Sequence, residues 1–258
     1  ILDFAYLKGI RFLDTAEEYG NSHDIIGKYH SLNPKKFNIV TKFSSSRSDL
    51  PNNLTERILF HLKSLNIKFM YCYMFHSFDD YINYFEFFKT ELSVIKRNNI
   101  IKKIGVSLYN NDQIEKVLED DLIDLIQIPF NLFDNSNKRE KILKKAKKRG
   151  IEIHTRSVFL QGLFFKEINE LNGKLKFFKR HISYLRCLTS KHHINDLALN
   201  YVYSKDYIDY VLVGVDNLEQ LKNNFKVLSN KSKNLNYEEI EKINIKNISM
   251  LNPSNWNL

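Results

Sequence analysis

The sequence predicts an α/β protein of the TIM (β/α)8 type, on three observations. β-rich runs alternate with amphipathic helical runs along the 258 residues, so each crossover helix must return the chain to the same end of a parallel sheet. Nearly every β run ends in a polar residue, as a barrel rim requires. No Gly-x-Gly-x-x-Gly follows a strand, which weighs against an open, doubly wound sheet. Barrels of about 250 residues form a single unit, so residues 1–258 are expected to make one domain.

Residues 1–8 read as a helix caught in progress, with Leu2, Ala5 and Tyr6 on one face and Gly9 as its stop. Residues 10–13 make a short buried strand, and a polar turn carries Asp14 and Tyr19. A helix over 22–30 is opened by Asn21 or Ser22. Pro34 breaks the chain before strand 38–41, which ends in Lys42. A polar loop with Pro51 leads to helix 54–65, whose Leu54, Ile58, Leu62 and Leu65 form one apolar stripe. Strand 69–75 ends in His76 and precedes a long helix near 81–97. Strand 103–106, helix 111–118 and strand 122–128 continue the alternation, and Pro129 halts the last of these. Helix 138–148 stops at Gly150, before strand 151–155. A long loop with a helix over 173–192 follows. Helix 194–203, strand 210–213 and helices 217–228 and 237–247 complete the pattern, one strand short of eight.

A net charge of +9 and a pI near 9.3 are compatible with nucleic acid, an anionic membrane or an anionic cofactor. The densest basic run, 138–149, interleaves Ile142, Leu143 and Ala146 at helical spacing, so its lysines read as the solvated face of an amphipathic helix. No nucleic-acid motif accompanies it, and no nucleic-acid partner is expected. The two cysteines, Cys72 and Cys187, lie far apart, which argues for a reducing compartment. The histidines lack ligand spacing, so no metal is expected. With no apolar run near the roughly 18 residues of a membrane span and no signal-peptide pattern, a cytoplasmic protein without membrane contact is expected.

The stretch from Gly9 to Gly27 organises the rest. It puts an acid at a strand end and a tyrosine in the loop that follows, on the rim where α/β enzymes keep their chemistry. Strand ends at Lys42 and His76 repeat the arrangement. The set Phe-Leu-Asp-Thr-Ala-x-x-Tyr-Gly-x-Ser, Val-Thr-Lys and Phe-His-Ser resembles the aldo-keto reductase superfamily over nearly the whole chain. That resemblance implies catalytic roles for Asp14, Tyr19, Lys42 and His76 in reducing an aldehyde or ketone with a nicotinamide cofactor. Tyr19 would give the proton to oxygen. A free phenol, with a pKa of about 10, is too weak an acid for this unless a nearby cation stabilises its phenolate. Lys42 would be that cation, Asp14 would hold it, and His76 would orient the substrate oxygen. Each residue alone also has a plain structural reading: a helix cap, a core aromatic, an ion-pair partner, a half-buried imidazole.

The same resemblance implies a dinucleotide cradle. Ser107 and Gln127 match positions that hydrogen-bond the carboxamide; the alternatives are an N-cap or turn for Ser107 and a structural rim bond for Gln127. Asn131 matches a position more structural than cofactor-binding. Arg156 stands where many relatives stack an aromatic, and is read either as a stacking guanidinium or as a surface ion pair. Ser157, Leu160 and Gly162 would face the pyrophosphate, and Gly214, Asn217 and Asn224 the adenosine. Gln220 stands where many relatives carry a basic residue for the 2′-phosphate, which weakens a preference for NADPH, but the positive field and the amide-rich rim near Gly214 and Asn217 favour the extra phosphate, so NADPH is expected with NADH possible. His23 replaces a glutamate after Asn-Ser, with a small stability effect expected.

The family's first strand and preceding hairpin would lie before Ile1, so the chain is expected to be a fragment of a longer polypeptide. The alternative function is a non-catalytic nicotinamide-binding subunit or redox sensor on the same fold. A sensor need not retain an acid such as Tyr19, which favours the enzyme.

Overall fold

A computed structural model of the chain describes residues 1–189, 194–229 and 237–256. The end of the expected 173–192 helical segment, at 190–192, and the last two residues of the chain lie outside them. The chain divides into two compact units, one of Ile1–Gln127 with Gly150–Glu152, the other of Ile128–Arg149 with Ile153–Leu258.

The first unit opens with helix α1 (Leu2–Leu7), strand β1 (Phe12–Asp14), helix α2 (Ser22–Leu32) and strand β2 (Asn38–Phe43). Helix α3 (Leu54–Ser64), strand β3 (Met70–Phe75), helix α4 (Phe78–Arg97), strand β4 (Ile101–Ser107) and helix α5 (Asn111–Val117) follow. Strand β5 (Leu125–Pro129) crosses into the second unit. β1 to β4 and the start of β5 pair in chain order, every pairing parallel. Sequential parallel order is what a (β/α) barrel needs and what a doubly wound sheet, with its reversal of strand order, lacks. Val40, Cys72, Met74 and Leu125 form a buried cluster, with Phe12 and Tyr71 packed against it.

Element ends differ from expectation for local reasons. α4 begins at Phe78 because the Ser77 side chain accepts from the Asp80 amide and caps it, ahead of the apolar periodicity. β1 runs on to include Asp14, since the Thr15 amide still donates to the Val40 carbonyl (2.8 Å). Pro129 ends β5 from within the strand.

Gly27 sets how closely α2 approaches α3. A Cβ there would stand 1.8 Å from the Ser64 carbonyl oxygen, a backbone atom that cannot swing away. Gly27→Ala is expected to cost about 2–3 kcal/mol through overpacking. It should lower the urea midpoint with little change in slope, and an unchanged midpoint would contradict this contact.

In the second unit are helix α6 (Ser136–Lys148), strand β6 (Glu152–Arg156) from its second residue on, helix α7 (Lys179–Leu188), helix α8 (Ile194–Tyr203), strand β7 (Tyr210–Val211), helix α9 (Leu218–Ser229) and helix α10 (Tyr237–Glu241). β6 and β7 pair in parallel. Before α7, Gly173–Phe178 forms a 3-10 turn, so the expected helix starts later. The expected helix 237–247 stops at Glu241 because the Asn135 side-chain amide takes the Ile240 and Ile243 carbonyls (2.8 and 3.0 Å). Phe133 packs against Phe164 and Phe178, and Trp256 of the tail closes on Phe178 while donating Nε1–H to the Met250 carbonyl. None of the described helices is long and apolar enough to cross a membrane.

Candidate active site

Parallel strands that share a register finish together, so their last side chains meet at one rim. Asp14 pairs with Val40 in β1 and β2, and Lys42 with Met74 in β2 and β3; His76 follows directly on β3. Lys42 is buried, and its Nζ donates to Asp14 Oδ2 (2.5 Å) and to the Thr15 carbonyl (2.9 Å). The same ammonium lies 5.1 Å from the centre of the Tyr19 ring. His76 stands edge-on to that ring at 5.9 Å. Tyr19 is 49% exposed while the lysine behind it is sealed. The structure thus brings Asp14, Tyr19, Lys42 and His76 together.

Asp14 is held on its other oxygen too, because Gln127 Nε2 donates to Oδ1 (2.7 Å). The structural reading of Gln127 is therefore present in the fold: it bonds the carboxylate that also holds Lys42. Ser107 pairs with Gln127 in the β4–β5 register and is buried. It is not an N-cap; Asn110 caps α5, in a capping box with Gln113.

Beneath the Tyr19 loop is a buried polar hub that the sequence analysis missed. Glu17 Oε1 accepts from Arg57 Nε (3.0 Å) and the Tyr73 hydroxyl (2.7 Å) and lies 2.8 Å from His61 Nε2. Its Oε2 accepts from the Ser44 amide (2.9 Å) and contacts Arg57 Nη2. Burial pushes the Glu17 carboxyl up, but the bonds from His61 and Arg57, the Arg57 charge and the Ser44 amide more than reverse this and leave it at about 2. The same burial and the Glu17 charge drive the Tyr73 phenol well above its ordinary range. The available signal was in α3, where Arg57 and His61 share the buried face with Leu54, Ile58 and Leu62. Polar residues on an apolar stripe need partners.

His23 joins this layer. Its Nε2 lies 2.8 Å from Thr41 Oγ1 and its ring 4.7 Å from that of His61. Burial, with His61 beside it, lowers its pKa from 6.5 to about 4. Above the hub, Glu18 reaches back over the loop: it accepts from Ser46 Oγ (2.8 Å), contacts Ser44 Oγ, and has Oε2 3.4 Å from His76 Nδ1.

In the second unit, a cleft of about 690 Å3 gathers Gly162, Gly214, Gln220 and Asn224, with Phe159, Phe165, Asp196, Asp216 and Lys226 also on its walls. Four of the residues predicted for a cradle therefore share one cleft. Arg156 ends β6, and its carbonyl accepts from the Phe130 amide. Ser157, Leu160, Gln161 and Gly162 all have positive φ, winding the loop after β6 into a left-handed path that points Leu160 into the core. Ser157 and Leu160 thus shape that loop rather than line the cleft. Asn131 is structural: it donates to the Ser157 carbonyl (3.1 Å) and accepts from the Phe133 and Asp134 amides. Asn217 accepts from the Gln220 amide (2.9 Å), capping the start of α9, and Gln220 Oε1 in turn accepts from the Asp216 amide (2.8 Å).

A model of the aldo/keto reductase family matches residues 1–247. Probable aldo-keto reductase 1 of Glycine max is 27% identical over 175 residues, 64% of this chain and 50% of that one, so the chain spans about half the length of this curated relative. Aldo-keto reductase AKR11C1 of Bacillus halodurans superposes in its holo form with a TM-score of 0.75 at 22% identity, over 97% of this chain and 85% of that one. Its apo form gives 0.72 at the same identity, over 97% and 84%. The fold class expected from the alternation of elements, an α/β TIM-type fold, is the one these structures share. With the family model running through the rim of Asp14, Tyr19, Lys42 and His76 and on to the cleft of the second unit, this chain belongs to the aldo/keto reductase family.

Proposed function

We propose that the protein is an NAD(P)H-dependent oxidoreductase that reduces the carbonyl of an aldehyde or ketone. The observation that carries this reading is the ion pair of the buried Lys42 with the partly buried Asp14, its ammonium lying over the face of a half-exposed Tyr19. An ammonium so placed stabilises a phenolate, so Tyr19 can release its proton to a carbonyl oxygen and hold the negative charge that remains. Asp14 keeps Lys42 charged and in place, and Gln127 keeps Asp14 in place. His76, at the edge of the Tyr19 ring, orients the carbonyl oxygen.

The residues of the second unit fit a dinucleotide. Space is open around bare backbone at Gly162 and Gly214, where a Cβ would meet nothing within 4 Å, and amide side chains and Lys226 offer hydrogen-bond donors. When bound, the nicotinamide supplies the hydride that balances the proton from Tyr19. Gly162, Gly214, Gln220 and Asn224 would hold it, with Ser107 and Arg156 proposed to assist and Gln127 keeping its bond to Asp14. The start of α9 and Lys226 favour an added phosphate, while Asp216 and Asp196 oppose it. NADPH is expected to bind at least as well as NADH.

The test is a fluorescence titration with both dinucleotides, followed by a panel of aldehydes, ketoses and sugar derivatives. Saturable binding with oxidation of the reduced cofactor by a panel member is the expected result. Tenfold tighter NADH binding, about 1.4 kcal/mol, would reverse the cofactor preference. Binding without turnover across the panel would favour the sensor.

A further inference from the structure

The reading of the Tyr19 site leaves its neighbour Glu18 without a role. Glu18 is an exposed residue on a loop, yet its carboxylate is held on one side by the Ser44 and Ser46 hydroxyls, and its Oε2 faces His76 Nδ1 at 3.4 Å. That nitrogen is shut off from solvent, and its 3.4 Å approach to Oε2 is an ion-pair contact rather than an aligned hydrogen bond. A carboxylate oxygen accepts hydrogen bonds and cannot donate one, so an unprotonated Nδ1 facing it would set lone pair against lone pair. The favourable arrangement puts a proton on Nδ1, and the neutral ring then carries none on Nε2, the nitrogen on its far side.

We propose that Glu18 is a positioning residue that keeps the proton of neutral His76 on Nδ1, so that Nε2 can donate to a carbonyl oxygen only when the imidazole is doubly protonated. This inference rests on the proposed reaction for its consequence and on geometry for its cause. Protonated His76 polarises the carbonyl; neutral His76 presents only a lone pair to it. The groups around the ring fit this assignment. Tyr19 meets it edge-on, with Lys42 beyond the phenol. Arg47 is engaged in a two-bond pair with Asp49. On the element that follows His76, Asp80 is occupied by the Ser77 hydroxyl and the Ser45 amide. Glu18 is itself held ionised: the Ser44 bond lowers its pKa most, against a desolvation cost, and Ser46 and the His76 charge lower it further.

The test is nitrogen NMR of the imidazoles across pH, on the full chain, with His76 assigned from the signal lost in His76→Gln. In the wild type, neutral His76 should show the Nδ1–H pattern. Glu18→Gln places an amide that can donate to Nδ1, so neutral His76 should change to the Nε2–H pattern and titrate on the order of half to one unit lower. Glu18→Asp should restore the wild-type tautomer. In kinetics, the decline of kcat/KM for reduction as His76 deprotonates should be present in the wild type and absent in Glu18→Gln. A wild-type Nε2–H tautomer, or an unchanged tautomer and pH profile in Glu18→Gln, would overturn the proposal. Should Glu18→Gln not fold, the wild-type tautomer alone decides. An inactive protein with the Nδ1–H tautomer would refute the proposed reaction and leave the role of Glu18 standing.

Discussion

Tyr19→Phe is expected to lower turnover by roughly a thousandfold or more while leaving the dissociation constant for the dinucleotide within about twofold. The substitution removes one hydroxyl from a ring already half exposed, so under the proposed reaction it takes away the proton donor and little packing. A loss confined to kcat, with binding kept, marks a group that acts in the transition state. Lys42→Met should be comparably harmful to turnover, because it removes the charge against the Tyr19 ring. It is the less clean experiment. Lys42 is buried, and its loss leaves Asp14 with Gln127 as its one side-chain donor among the described residues, which costs stability as well. Near-normal steady-state reduction by Tyr19→Phe would remove the tyrosine from the mechanism.

The second large effect is on stability. Glu17→Gln should lower the unfolding free energy by about 3–5 kcal/mol, since it leaves the Arg57 guanidinium buried without its counter-charge. That is a large share of the roughly 5–15 kcal/mol that holds a typical domain folded. Urea titration of Glu17→Gln beside Glu17→Asp, which keeps the charge, separates the lost ion pair from changed packing. An unaltered midpoint in Glu17→Gln would show that the hub does not hold the loop. Because the Glu17 amide donates to the Lys42 carbonyl and the Glu17 carbonyl accepts from Arg47, loosening this residue should also blur the placement of Tyr19.

The hub also predicts an acid profile. Glu17 titrates at about 2 in the folded chain against 4.5 for the free group. The unfolded chain therefore takes up this proton first. Its contribution is complete above about pH 4.5 and is lost as pH falls through about 2. His23 acts in the same direction for the opposite reason: burial holds it neutral down to about 4, while an unfolded histidine protonates near 6.5. The unfolded chain again binds more protons between these values, so stability rises with pH across them. Urea midpoints measured from pH 7 down to 3 should fall first through the His23 range and then through that of Glu17. A His23→Gln variant should show a smaller upper step and an unchanged lower one, the rest of the upper step coming from His30 and His181, whose burial also lowers their pKa.

The sequence by itself determined the succession of strands and helices and the set Asp14, Tyr19, Lys42 and His76. Both are written in short-range patterns: apolar periodicity makes each element, and parallel strands in register deliver their last residues to one rim. Gly162, Gly214, Gln220 and Asn224 were singled out through motif resemblance rather than through periodicity, and the structure places them on one cleft. Only the tertiary structure decided what stands behind these residues. Gln127 bonds Asp14 across 113 positions, and Tyr73 bonds Glu17 across 56. No local pattern encodes such pairs, since Glu17 reads as one more acid in a polar turn until Arg57 and His61 on α3 and Tyr73 on β3 close around it. Its burial, its low pKa and the contact from Glu18 to His76 arise from packing, because a charge taken out of water is tolerated only where the fold brings distant donors to it.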